Sequence, residues 1–146
     1  MKIFYTLFTL VIFTIIACKS NSTESATIVK EATIDTTKYT SVEWLDDTIQ
    51  EMGKIIEGQE VEVAFRFKNV GQYPLIVSNV SAQCGCTIPE TPKEPIAPGE
   101  EGIIKAKFNS ANRGGSLNSK EVYVDANTIP SRRVLVFNVE VLNKEN

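Results

Sequence analysis

The chain of 146 residues has no histidine, a single tryptophan, two methionines and three cysteines. Without an imidazole, a serine nucleophile lacks its usual general base, and zinc loses its commonest nitrogen ligand. Three cysteines are too few for the disulfide framework of a small secreted scaffold. Charge of neither sign accumulates, since 15 Lys and Arg stand against 18 Asp and Glu for a net −3. Lys105 with Lys107, and Arg132 with Arg133, read as short charges on solvated faces, and no basic patch suggests nucleic acid. The acidic pairs Asp46-Asp47 and Glu100-Glu101 are neighbours in sequence rather than carboxylates held apart across a cleft, so a glycosidase has no support. A phosphate-binding glycine loop and a dinucleotide fingerprint are also missing. These residues point away from an enzyme, and no cofactor is expected.

The sequence also lacks an apolar run long enough to span a bilayer, which takes about 20 residues. Its longest stretch, Ile3 to Ala17, is shorter and is interrupted by Thr6, Thr9 and Thr14. A charged start at Lys2, a brief apolar core and a small residue before the cut describe a secretory signal peptide over residues 1–17. Ile15-Ile16-Ala17-Cys18 resembles the bacterial lipobox, which implies that Cys18 is lipidated and becomes the first mature residue. Several acyl chains hold a protein firmly where one gives only marginal binding. Lys19, rather than aspartate, at the second mature position points to the outer membrane. The expected location is the bacterial cell envelope, with the membrane as partner through Cys18.

Residues 18–38 then read as a tether. Serine, threonine and asparagine dominate, and such composition buries too little surface to offset the entropy of ordering. A strand around Ile28 to Ile34 is a second reading of its later part.

Residues 39–146 are enough for one domain with its own core. From Glu60 the two-residue period is clear: Val61, Val63, Phe65 and Phe67 alternate with Glu62, Ala64, Arg66 and Lys68, as in a half-buried strand. Leu75 to Ala82 follows the turn residues Asn69 to Pro74. Ile104, Ala106 and Phe108 share one face, as do Val122, Val124 and Ala126, and Leu135, Phe137, Val139 and Val141. Thr40 to Leu45 and Lys54 to Ile56 look like further strands. No stretch carries a helical period. Short strands separated by turns over about a hundred residues suggest an all-β, immunoglobulin-like antiparallel β-sandwich. A small Greek-key barrel is the alternative. Trp44 precedes both Cys84 and Cys86, and those two are too close in sequence to bridge the sheets, so the immunoglobulin disulfide is absent.

Pro89, Pro92, Pro95 and Pro98 recur every third residue, the spacing that lines one face of a polyproline II helix. That stripe reads either as a docking face or, preferably, as a stiff loop between sheets. Asn109 to Asn118, with Gly114-Gly115, reads as a long polar turn.

Phe65-Arg66-Phe67-Lys68-Asn69-Val70-Gly71, Pro74-Leu75-Ile76-Val77, Cys84-Gly85-Cys86-Thr87 and Pro95-Ile96-Ala97-Pro98-Gly99 occur in this order. The combination resembles the domain-of-unknown-function-1573 family, frequent among exported lipoproteins, from about Val42 to Leu142. Trp44 stands where phenylalanine is expected, Met52-Gly53 where Phe-Gly is, and Gln83 where serine is. The resemblance implies an immunoglobulin-like fold and no established activity.

Cys84-Gly85-Cys86 is where chemistry could occur. On an extended strand both side chains project to one face, somewhat far apart for a bond, and Gly85 is the residue that would let the backbone bend. A local disulfide or thiol pair shaping the strand end is the first reading. A redox role is the second, although no cation lies within five residues to activate a thiol. Cu(I) held by the two thiolates is the third. The expected function is a membrane-anchored envelope lipoprotein presenting its domain to a protein or glycan partner. The alternative is a thiol–disulfide or Cu(I)-handling protein acting through Cys84 and Cys86.

Overall fold

A computed structural model describes residues 38–145. The residues read as leader and tether, 1–37, with Cys18 and the Ile28–Ile34 segment, lie outside the described residues. Eight strands follow in order: β1 (Val42–Trp44), β2 (Ile49–Ile56), β3 (Glu60–Asn69), β4 (Val77–Ala82), β5 (Thr87–Glu90), β6 (Glu101–Asn109), β7 (Ser116–Ala126) and β8 (Arg132–Leu142). They form two four-stranded sheets, β1-β3-β6-β5 and β2-β8-β7-β4. The first three strands of one sheet plus β5, facing β4, β7 and β8, reproduce the ABED and CFG arrangement of an immunoglobulin constant-type sandwich. The sheets are separate, which replaces the barrel alternative with a sandwich.

One pairing departs from the antiparallel expectation. Strand β2 runs parallel to β8, with Ile49 opposite Val136 and Ile56 opposite Leu142. The chain leaves the first sheet after Trp44 and joins the second as a new edge, so β1 and β2 share one side of the sandwich.

Alternation sets the core. Phe65, Ile104, Phe108, Leu135, Phe137 and Val141 are fully buried, and Phe108 of one sheet meets Phe137 of the other at 5.9 Å between ring centroids. Close packing of such inner faces is what stabilises two stacked sheets. Strand β2 extends well beyond Lys54–Ile56, because a register shift between Glu51 and Lys54 interrupts the alternation. Gly53, at φ 75°, occupies that bulge, where a left-handed residue is required.

The Pro89–Pro98 segment is not a free stripe. Pro89 lies in β5, an edge strand, where a missing N–H is tolerated. Ile96 is buried and exchanges two backbone hydrogen bonds with Leu75, at 2.8 and 2.9 Å. The segment is thereby pinned to the body of the domain, which favours the stiff-connection reading. The polar turn is shorter than expected, since β6 ends at Asn109 and β7 begins at Ser116.

Candidate functional site

Three constructions stand out. The first is the ordered motif around Asn69, which sits at the end of β3 with no exposure. Its Oδ1 accepts from the Thr40 hydroxyl at 2.8 Å and from the Gly71 N–H at 3.1 Å. Its Nδ2 donates to the carbonyls of Tyr73 at 2.8 Å and Ile96 at 2.9 Å. Backbone bonds add Asn69 N to Glu100 O and Gly99 N to Asn69 O. All four side-chain valences are met, which is the condition for burying an amide without penalty. Gly71 completes the motif by close approach: a Cβ there would overlap Thr40 Oγ1 and lie 2.6 Å from Ser41 N. Phe65 and Phe67 fill the core, while Asn69 and Gly71 lock the chain entry, the β3–β4 turn and the proline-rich connection together.

The second is the Cys-Gly-Cys. Cys84 and Cys86 are joined by a disulfide, with Cα atoms 5.3 Å apart. They lie in the four-residue crossover from β4 in one sheet to β5 in the other. The chain turns there, with the Thr87 N–H donating to Cys84 O at 3.2 Å. Cys86 O accepts from Asn109 N at 2.9 Å, and Gln83 N donates to Glu121 O at 3.3 Å, so the crossover is tied to both sheets. Gly85 does not adopt a positive φ, and a Cβ at Gly85 would meet nothing within 4 Å. The bend thus needs no glycine-only conformation, contrary to the expectation for Gly85. While bonded, neither sulfur is a thiolate, and Cu(I) has no ligand here until the bridge is reduced. Among the described residues no group of three or more Cys, Asp or Glu is arranged to hold a metal ion.

The third was not anticipated. A cleft of about 610 Å³ opens between the sheets on the β1 side. Val42 and Trp44 of β1 form one wall, Phe67, Leu75 and Val124 contribute apolar surface, and Arg132 and Arg133 stand at the opposite side. Trp44 packs on Phe67 with ring centroids 5.5 Å apart. Lys38 to Ser41 enter beside the cleft: Thr40 N bonds Asn127 O at 2.9 Å, and Asn127 Nδ2 donates to Lys38 O at 2.8 Å and Pro74 O at 3.0 Å.

The two arginines differ. Arg132 points outward and forms a fork with Asp125, at 2.7 and 2.8 Å. The side-chain hydrogen bond from Arg132 holds the Asp125 carboxyl below its ordinary value. Arg133 instead falls in the inward-facing register of β8, in line with buried Leu135, Phe137, Val139 and Val141. It sits opposite buried Val124, yet is exposed because the sandwich is open there. No ion pair to Arg133 forms among the described residues. Both arginines are exposed, as the reading of Arg132-Arg133 as a solvated face expects, but they lie on opposite faces of β8 and Arg133 is on the side that borders the cleft. The signal was present in the alternation, which places Arg133 two residues before Leu135 on the same face.

Together these features define an immunoglobulin-like β-sandwich module with a locally bridged crossover and an open lateral cleft. Residues 42–141 match the family described as "Protein of unknown function (DUF1573)", and the chain belongs to that family. Among solved structures, it is similar to a protein of unknown function from Porphyromonas gingivalis W83, at 16% identity and a TM-score of 0.59. That alignment covers 72% of this chain and 48% of the other, so the chain spans about half the length of that relative. It is also similar to the ASH/PapD-like domain 7 of human CEP192, at 12% identity, covering 74% of this chain and 88% of that domain with a TM-score of 0.54. The secreted serine protease VesC from Vibrio cholerae matches at 9% identity over 73% of this chain and 24% of its own, with a TM-score of 0.53. At these identities the likeness shows the fold alone. No curated protein matches the sequence.

Proposed function

We propose that the protein is a lipid-anchored component of a bacterial envelope, whose sandwich domain serves as a non-catalytic binding module. The observation that carries the binding role is the open cleft between β1 and β8, where apolar Trp44, Phe67 and Leu75 stand together with polar Thr40, Thr128 and Arg133. Concave apolar surface with a few placed polar groups is the usual form of a recognition site. The sequence Ile15-Ile16-Ala17-Cys18 supports the anchor. The Cys84–Cys86 bridge is read as a clasp on the sheet-to-sheet crossover rather than as a reactive centre.

The anchor is tested by metabolic labelling with an alkyne fatty acid and fractionation of the envelope. Label on the wild-type chain in the membrane pellet, lost together with membrane association in Cys18→Ala, is the expected result. An unlabelled chain, or one that pellets equally well without Cys18, would contradict it.

A further inference from the structure

The cleft lies between two strand edges that no other strand covers among the described residues. In β1, Ser41 O accepts from Val70 N and Leu45 N donates to Arg66 O, so Ser41, Glu43 and Leu45 turn their backbone groups toward β3. Alternation then aims those of Val42 and Trp44 away from the sheet. In β8, Val136 N donates to Thr48 O, where pairing with β2 begins. The same alternation aims the N–H and C=O of Arg132 and Val134 to that side, one turn of the pleat earlier, where β2 does not reach. Among the described residues, strand β8 thus has a covered part, from Val136 onward, and an uncovered part, Arg132 to Leu135.

An uncovered edge is a template for another strand. Here the template borders a cleft with an apolar interior and an inward-facing arginine that lacks an anionic partner among the described residues. Resting on the binding-module reading, we infer that the cleft receives an extended segment of a partner protein, added as a strand along Arg132–Leu135. Backbone hydrogen bonds to Arg132 and Val134 hold the segment. Alternate apolar side chains enter the cleft against Trp44 and Val42, and a carboxylate meets Arg133. Backbone pairing supplies affinity and the alternate side chains supply specificity in this mode of recognition. The guanidinium favours a carboxylate because its planar fork matches one in a two-point contact. Arg132 contributes its backbone only, since Asp125 occupies its side chain.

The test uses the full-length chain in detergent and a fluorescein-labelled seven-residue peptide alternating valine with glutamate, read by anisotropy. Saturable binding is expected, weakened about tenfold or more by Arg133→Glu, as loss of one charge-assisted contact implies. Val134→Pro removes the edge donor while leaving the β7 ladder, and should weaken binding to a similar degree. Lys107→Glu, the same charge change on the exposed face of β6, should leave it unchanged. A peptide of the same composition with its valines and glutamates segregated should bind poorly. No binding at about 1 mM, the weakest affinity of interest, or equal binding of both peptides would overturn the inference. So would Arg133-dependent binding to anionic lipid vesicles without peptide binding, or Arg133-dependent self-association in sedimentation. A native partner retained by Arg133→Glu would overturn the cleft assignment and leave the broader binding reading standing.

Discussion

Replacing Asn69 by alanine removes a fully buried amide that accepts two hydrogen bonds at Oδ1 and donates two from Nδ2. The Ile96 carbonyl keeps the bond from Leu75 N, so it is not orphaned. The Gly71 N–H and the Tyr73 carbonyl lose the side-chain partners they have, and the Thr40 hydroxyl loses its acceptor. Each buried polar group left unmatched costs about 1–3 kcal/mol, and a small void adds to it. The expected loss is about 3–5 kcal/mol, a large share of the 5–15 kcal/mol typical of a domain. Thr40→Val is milder, about 1 kcal/mol, because Oδ1 keeps the Gly71 N–H. Trp44, the sole tryptophan, sits on β1 against Phe67 and reports unfolding by fluorescence. With a urea slope of about 1–2 kcal/mol/M for a domain of this size, Asn69→Ala should lower the midpoint by about 1.5–5 M. A shift below about 0.5 M would refute the hub assignment, since water or repacking would then replace the amide at little cost.

Other substitutions read the same geometry. Gly102→Ala should cost about 1–3 kcal/mol in urea unfolding, because its Cβ would overlap the buried Phe67 ring, whereas Gly85→Ala should stay within about 0.5 kcal/mol of wild type. The double variant Cys84→Ser, Cys86→Ser should lose only about 1–2 kcal/mol, since a bridge with a sequence separation of 2 closes a very short loop; loss of folding would instead make the clasp indispensable. The side-chain hydrogen bond and then the backbone N–H of Arg66 lower the pKa of Asp46, as Arg132 lowers that of Asp125. In acid the unfolded chain therefore takes up these protons first. The stability they contribute is complete above the ordinary carboxylate range and is lost as pH falls through the lowered native values. Asp46→Asn and Asp125→Asn should flatten the acid limb of a stability–pH curve, and an unchanged slope would contradict the pairing.

Much of this fold was legible because β3, β6, β7 and β8 each keep one face to the core without interruption. Strand β2 was half hidden, since the bulge at Gly53 shifts its inward positions from Gln50 and Met52 to Ile55. Strand β5 was hidden by Pro89, which reads as a loop former unless the strand lies at an edge. The parallel β2–β8 pairing follows from where the chain changes sheets, a tertiary choice that local periodicity does not record. The motif residues Asn69 and Gly71 were visible as a pattern, but their reason lies in Thr40 and Ile96, which are distant in sequence. Cys84 and Cys86 were visible too, and only the turn between sheets decides that they meet. The cleft is not legible in the sequence because it is defined by where strands stop, and there Arg133 reads only as half of a charged pair.

A photo-crosslinking amino acid placed at Val134 of the chain in intact envelopes tests the binding-module account most directly. The account predicts a discrete protein adduct at Val134 and none at Ile88, an exposed position on the opposite edge strand β5. Adducts of equal yield at both positions, or none at Val134, would contradict it.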